Sequence, residues 1–263
     1  MKRKIYGQGQ SMATHLRTIT KRQFVAFNIF AILFLMIGLS ACTPINSSST
    51  LPEEHRWLTK QPCAPPCWEG ITPGVTTVEE AEESLLKNPL FSDAEVYIYQ
   101  PSPQDSSVAW KWRGTDIGEV DANFDASASV HIIKWIGVWF PTDITIKDIV
   151  NAYGNPSHIM VSASNDGPDI DDQIYYSVQI YYIQLGFSFP PKYGIEPNVP
   201  PSISPETKVG YVKFFPASID GLSTAFRWDA ERLKSELIPW QGTFDFDVYC
   251  KLRYAPDELW RCE

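Results

Sequence analysis

The sequence predicts an α+β protein: two tandem repeats of a capped helix followed by antiparallel strands, then a disulfide-closed C-terminal segment. Three observations predict it. Thr77–Glu80 and Thr145–Asp148 carry the same helix-start pattern, 68 residues apart. Each is followed by short runs whose apolar residues recur every second position. Four cysteines sit in two close pairs, Cys63 with Cys67 and Cys250 with Cys262, at the two ends of that body. The 21 prolines break the chain too often for long helices, while nine Trp, twelve Tyr and fourteen Phe suffice for a sizeable core.

The chain opens with a different grammar. Basic Lys21-Arg22 precede an apolar run from Phe24 to Leu39, which ends in Leu39-Ser40-Ala41-Cys42. A run of about 16 residues is short for a membrane-spanning helix and long for the apolar part of a signal peptide. An uncleaved anchor helix is the alternative reading, and Met12 is an alternative start. Residues 42–62 begin with small, polar Thr43 to Thr50 and read as a flexible tether. Pro52-Glu53-Glu54-His55-Arg56 within it has the composition of one helical turn.

Residues 63–140 are the first predicted repeat. Its opening loop is Cys63-Ala64-Pro65-Pro66-Cys67. Thr77 offers a hydroxyl to an orphan amide and Glu80 reaches back, with Val78, Ala81, Leu85 and Leu86 on one helical face. Asn88-Pro89 should stop that helix. Strands are expected at 95–100, 107–112, 118–124 and 130–140, the last apolar enough to be central.

Residues 141–220 are the second repeat. Thr145 caps, Asp148 reaches back, and Gly154-Asn155-Pro156 ends the helix. Strands follow at 158–162, 173–189 and 208–215, the middle one long enough to require a bend near Tyr182–Gly186. Six prolines between Pro190 and Pro205 make a stiff loop. In the tail, 221–263, Trp228–Leu237 reads as a short helix with Glu231–Lys234 and Arg232–Glu236 spaced to pair.

Leu39-Ser40-Ala41-Cys42 resembles the lipobox of bacterial lipoproteins. The resemblance implies a signal peptide over residues 1–41, cleavage before Cys42, and acylation (thioether-linked diacylglycerol, often with a palmitate-like amide chain). It implies a cell-envelope location on the outer, extracytoplasmic face of the membrane. Two or three acyl chains hold firmly, since each buried methylene adds about 0.8 kcal/mol. Removing the six basic residues of 1–41 from the 22 Lys and Arg leaves 16 against 31 acids, a formal charge of −15. That charge argues against nucleic-acid partners, whose phosphates need clustered cations.

The doubled helix-and-strand pattern resembles the tandem-repeat fold of β-lactamase inhibitor proteins. Pro66-Cys67-Trp68-Glu69-Gly70-Ile71-Thr72-Pro73-Gly74-Val75-Thr76-Thr77 is similar to the opening of uncharacterised bacterial lipoproteins of this layout. Those carry no activity to transfer; the fold likeness implies protein binding on a sheet.

Four cysteines allow three pairings. The local pairs Cys63–Cys67 and Cys250–Cys262 are favoured in an oxidising compartment. A metal site is the competing idea, but the spacing is not CxxC; a redox pair is another. No Gly-x-Ser-x-Gly, HExxH or phosphate-cradling loop occurs, and no cofactor is implied. His131 and His158 begin or alternate within strands, and His55 lies in the tether. Asp166, Asp169 and Asp171 gather around Gly167 as a weak calcium candidate, without the spacing of an EF-hand. Trp110 and Trp112 share one strand face, as do Trp135 and Trp139, and form a possible ligand platform. The leading reading is a non-catalytic, lipid-anchored binding or assembly module with an envelope protein partner. The alternatives are an envelope hydrolase and a sugar- or lipid-binding accessory protein using strand Trp and Tyr.

Overall fold

In the computed structural model, described for residues 53–88, 91–102, 105–112, 119–164, 173–194, 196–255 and 262, both capping boxes form. Thr77 Oγ1 accepts from the Glu80 amide at 3.2 Å, and Glu80 Oε2 accepts from the Thr77 amide at 2.9 Å. Thr145 and Asp148 repeat the exchange at 3.2 and 2.9 Å. These caps start α1 (Val78–Leu86) and α2 (Ile146–Tyr153), and each satisfies two amides that a helix start leaves open.

Each helix is followed by four strands. β1 (Phe91–Ser102), β2 (Asp105–Trp112), β3 (Glu119–Phe124) and β4 (Ile133–Thr145) follow α1. β5 (His158–Ser164), β6 (Tyr175–Tyr182), β7 (Phe187–Phe189) and β8 (Lys208–Phe214) follow α2. The expected bend in 173–189 is the 3-10 turn Ile183–Leu185, closed by Gly186 in the left-handed region. All eight strands, with β9 (Ile238–Pro239), join one antiparallel sheet in the order β1-β2-β3-β4-β8-β7-β6-β5-β9. The boundary expected at residue 140 falls inside β4, which runs on to pair Ile144 with Val209 of β8. The described residues from Glu53 onward belong to one compact unit.

The sheet has two unlike faces. Val120, Ile136, Val138, Val212, Phe214, Phe187, Ile180 and Ile159 face the larger core with α1, α2 and α5 (Phe246–Arg253). Trp135, Met160, Tyr181 and Phe215 face the other way, under α3 (Ile219–Phe226) and α4 (Ala230–Glu236). Alternation along a strand demands this split: Ile180 and Tyr181 are neighbours in chain and opposites in space.

α3 and α4 cover part of the second face, and α5 closes the first. The spacing of Glu231 with Lys234 and Arg232 with Glu236 gives contacts of 2.8 Å in each case. Cys63 is bonded to Cys67, and Cys250 to Cys262.

The tether needs a correction. Glu53–Thr59 is a 3-10 helix, and its Trp57 is 1% exposed. The Trp57 ring stacks on Tyr153 at 5.6 Å and on Phe140 at 6.2 Å, and meets Phe187 and Phe214 edge-on. His55 is likewise buried, its Nε2 2.8 Å from Thr142 Oγ1. A buried Trp and His hold this stretch; the helical turn expected there forms, packed into the core rather than in a free tether. Among the described residues no helix is long and apolar enough to cross a membrane.

Candidate functional site

The site is built by one row of residues across the sheet. Asp121 of β3 pairs with Gly137 of β4, Gly137 with Lys213 of β8, Lys213 with Ser188 of β7, and Ser188 with Tyr181 of β6. All five point to the second face, because their strand neighbours point into the larger core. Gly137 leaves a gap in this row. A Cβ there would lie 2.2 Å from Asp121 Oδ1 and 2.4 Å from Tyr211 Oη, so those two side chains lean together over its bare backbone.

Lys213 stands beside that gap. Its ammonium lies 4.6 Å from the rings of Trp135 and Phe226 and 5.7 Å from Tyr211. Trp135 stacks on Phe226 at 5.9 Å, Phe226 meets Trp228 at 5.3 Å, and Trp139 meets Tyr211 at 4.2 Å. Trp139 and Trp228 are 47% and 40% exposed, unusually open for such large rings. The face is thus an aromatic wall with one cation set into it.

Burial disturbs the titrations here. Asp121 Oδ1 is buried with no hydrogen-bond partner. Its removal from water pushes the carboxyl up to about 6, against a pull downward from Lys213 and a push upward from Glu119. Burial lowers Lys213, partly offset by Asp121, and raises Tyr211 well above the ordinary phenol range.

A raised carboxyl pKa has a definite consequence for stability. Between the unfolded value of 3.8 and about 6, the folded chain holds a proton that the unfolded chain has released, so stability falls as pH rises. Above that window the penalty is constant, about 1–2 kcal/mol after allowing for partial solvent screening. Asp121→Asn is therefore expected to stabilise the protein by that amount near neutral pH and by almost nothing at about pH 3.5. Urea denaturation at both pH values measures it; a variant weaker than the parent at neutral pH would contradict the assignment.

Ser188 makes the floor of a groove of about 400 Å³. β7 presents only this small side chain between Tyr211 and Lys213 on one wall and Gln179 and Tyr181 on the other. Gln179 Nε2 donates to Ser188 Oγ at 3.0 Å. Tyr193 closes the far end, its hydroxyl accepting from the Val178 amide and donating to the Tyr176 carbonyl. A second groove of about 380 Å³ continues past Met160 and Trp228 toward Arg232 and Glu236.

The residues proposed from sequence are only partly assembled here. Trp135 and Trp139 lie on this face, half-buried and exposed respectively. Trp110 does not: it pairs with Val120, faces the larger core and is 3% exposed. Its strand carries the opposite phase, which spacing within that strand cannot reveal. The Trp112 side chain, Cys42, and Asp166, Asp169 and Asp171 lie outside the described residues. Among the described residues no cluster of three or more His, Cys, Asp or Glu side chains is placed to hold a metal.

The histidines do not converge on a reaction centre. His131 Nδ1 lies 3.5 Å from the exposed Glu79 carboxylate. His158 Nδ1 is buried without a hydrogen-bond partner, and burial lowers the ring's pKa. Sequence reading missed Asp121, Tyr211 and Lys213 because the first lies in β3 and the other two in β8, strands that are far apart in the chain. No family model, curated protein or solved structure matches the chain.

Proposed function

We propose that this chain is an exported lipoprotein, acylated on Cys42, whose folded body is a non-catalytic binding module. The observation that carries the binding half is the second sheet face. Two broadly exposed tryptophans, a half-buried lysine and a floor of small side chains lie beside a groove on a surface that helices α3 and α4 only partly cover. The anchoring half rests on Leu39-Ser40-Ala41-Cys42 after its apolar run. Two disulfides fit an oxidising compartment.

The body is read as two tandem repeats joined edge to edge. The order of one capped helix and four strands occurs twice, and the final strand of each set, β4 and β8, meets at the centre of the sheet. This arrangement resembles the repeat fold of β-lactamase inhibitor proteins in its order of elements, and it leaves one broad face for a partner. An envelope hydrolase is the less supported reading, since His131 meets only the exposed Glu79 carboxylate and His158 Nδ1 is buried without a hydrogen-bond partner, unlike the histidine of a triad.

Oxidative side-chain footprinting of the native protein in isolated envelopes, against the purified chain in detergent, tests the binding face. Trp139 and Trp228 should label more slowly in the envelope. Exposed Val199, on the proline-rich loop, should label equally in both. Equal labelling of both tryptophans in the two preparations would contradict the assignment of this face.

A further inference from the structure

The groove over Ser188 has the wrong charge for its protein. The chain carries 31 acids against 22 bases, yet none of the described residues lining the groove is acidic, and two are lysines. Lys192 is ion-paired, its Nζ 3.1 Å from both carboxylate oxygens of Asp143, a carboxylate that Lys208 also approaches at 3.7 Å. Lys213 is not. No ion pair or hydrogen bond within the described residues takes its three N–H donors, although burial disfavours its charge. Asp121 faces it across Gly137 from β3, with Glu119 beyond, but neither forms an ion pair with it.

We propose that this groove is a binding site for a small organic monoanion, a carboxylate carried on a six-membered ring. One ammonium without an ion-pair partner matches one negative charge. A dianion such as phosphate would need a second lysine without an ion-pair partner, and Lys192 is held by Asp143. The volume of about 400 Å³ falls at the small-ligand end of binding cavities. Tyr211 on one side and Phe226 with Trp228 on the other offer flat apolar surface to a ring. Gln179 gives its amide N–H to Ser188, which leaves its carbonyl oxygen to accept from a ring hydroxyl. The carboxylate would approach Lys213 from the groove, on the side opposite Asp121. A sugar acid and an aromatic acid share this chemistry.

The inference rests on the binding-module reading and names its ligand. Isothermal titration of the full-length chain in detergent uses D-glucuronate, benzoate and, as the uncharged control, glucose. At least one of the two acids should bind saturably and glucose should not; which acid binds tells a sugar acid from an aromatic one. Lys213→Met should weaken that binding at least about tenfold. Asp121→Asn removes a competing carboxylate and should tighten it several-fold, a gain that mere misfolding would not produce. Trp228→Ala, at the exposed rim, should weaken binding while leaving the melting temperature in place. Glucose binding as tightly as glucuronate, no saturation by either acid, or weakening by Asp121→Asn would overturn the proposal. Footprint protection of Trp139 and Trp228 without binding of any acid would defeat this ligand class and leave the binding face standing.

Discussion

Trp57→Ala is expected to cost about 3–5 kcal/mol of folding free energy, the largest loss from any single truncation in the N-terminal stretch. The indole is 1% exposed and touches rings from β4, α2, β7 and β8. Its own carbonyl accepts from the Tyr153 hydroxyl, so backbone and side chain are held by the same neighbour. Truncation would open a cavity at the meeting point of four elements, which cannot all collapse into it. Urea denaturation reads the loss, and hydrogen exchange should show residues 53–59 opening first. A cost below about 1 kcal/mol would mean that this stretch is dispensable after all.

The second large effect is at Glu69. It sits in a two-residue turn between Trp68 and Ile71, whose amides and carbonyls exchange hydrogen bonds at 2.9 Å. Glu69 and Gly70 both have positive φ, 51° and 84°, the geometry that twists with its flanking segments. The Glu69 side chain is 3% exposed and receives both Nε and a terminal nitrogen of Arg56. Asn88, just past α1, donates to the same carboxylate at 2.7 Å. One buried acid thus ties the N-terminal 3-10 helix to the end of α1.

Glu69→Ala removes the charge facing Arg56 and should destabilise by about 2–4 kcal/mol, below the range for a fully buried pair because Arg56 keeps some solvent contact. The double variant with Arg56→Ala should lose less than the sum of the two single losses. Additive losses in the cycle would show that the pair is not coupled.

Much of the fold was legible because its signals are local. Thr77 with Glu80, and Thr145 with Asp148, are each complete within four residues, and the helices start where they say. Proline and glycine likewise marked the ends of α2 and the bend before β7. α3 and α5 were less visible. Gly221 weakens the helical pattern of α3, and Phe244-Asp245-Phe246-Asp247 alternates like a strand, yet Ser218 and Asp245 cap them.

The site was mostly illegible for a different reason. Asp121, Gly137, Lys213 and Ser188 meet through the registers of four strands, and β4 joins β8 over a long separation in sequence. Nothing near Lys213 in the chain announces that Trp135 and Phe226 will flank it. The pair Trp135 and Trp139 was visible as a strand face, but which face met the core depended on partners elsewhere, and Trp110 fell on the opposite side.

Mass spectrometry of the N-terminal peptide of the protein from native membranes tests the proposed anchoring most directly. The expected peptide begins at Cys42, carries a thioether-linked diacylglycerol, and disappears from the membrane fraction in Cys42→Ser. An unmodified Cys42 inside a membrane-bound chain that still carries Phe24 to Leu39 would contradict it.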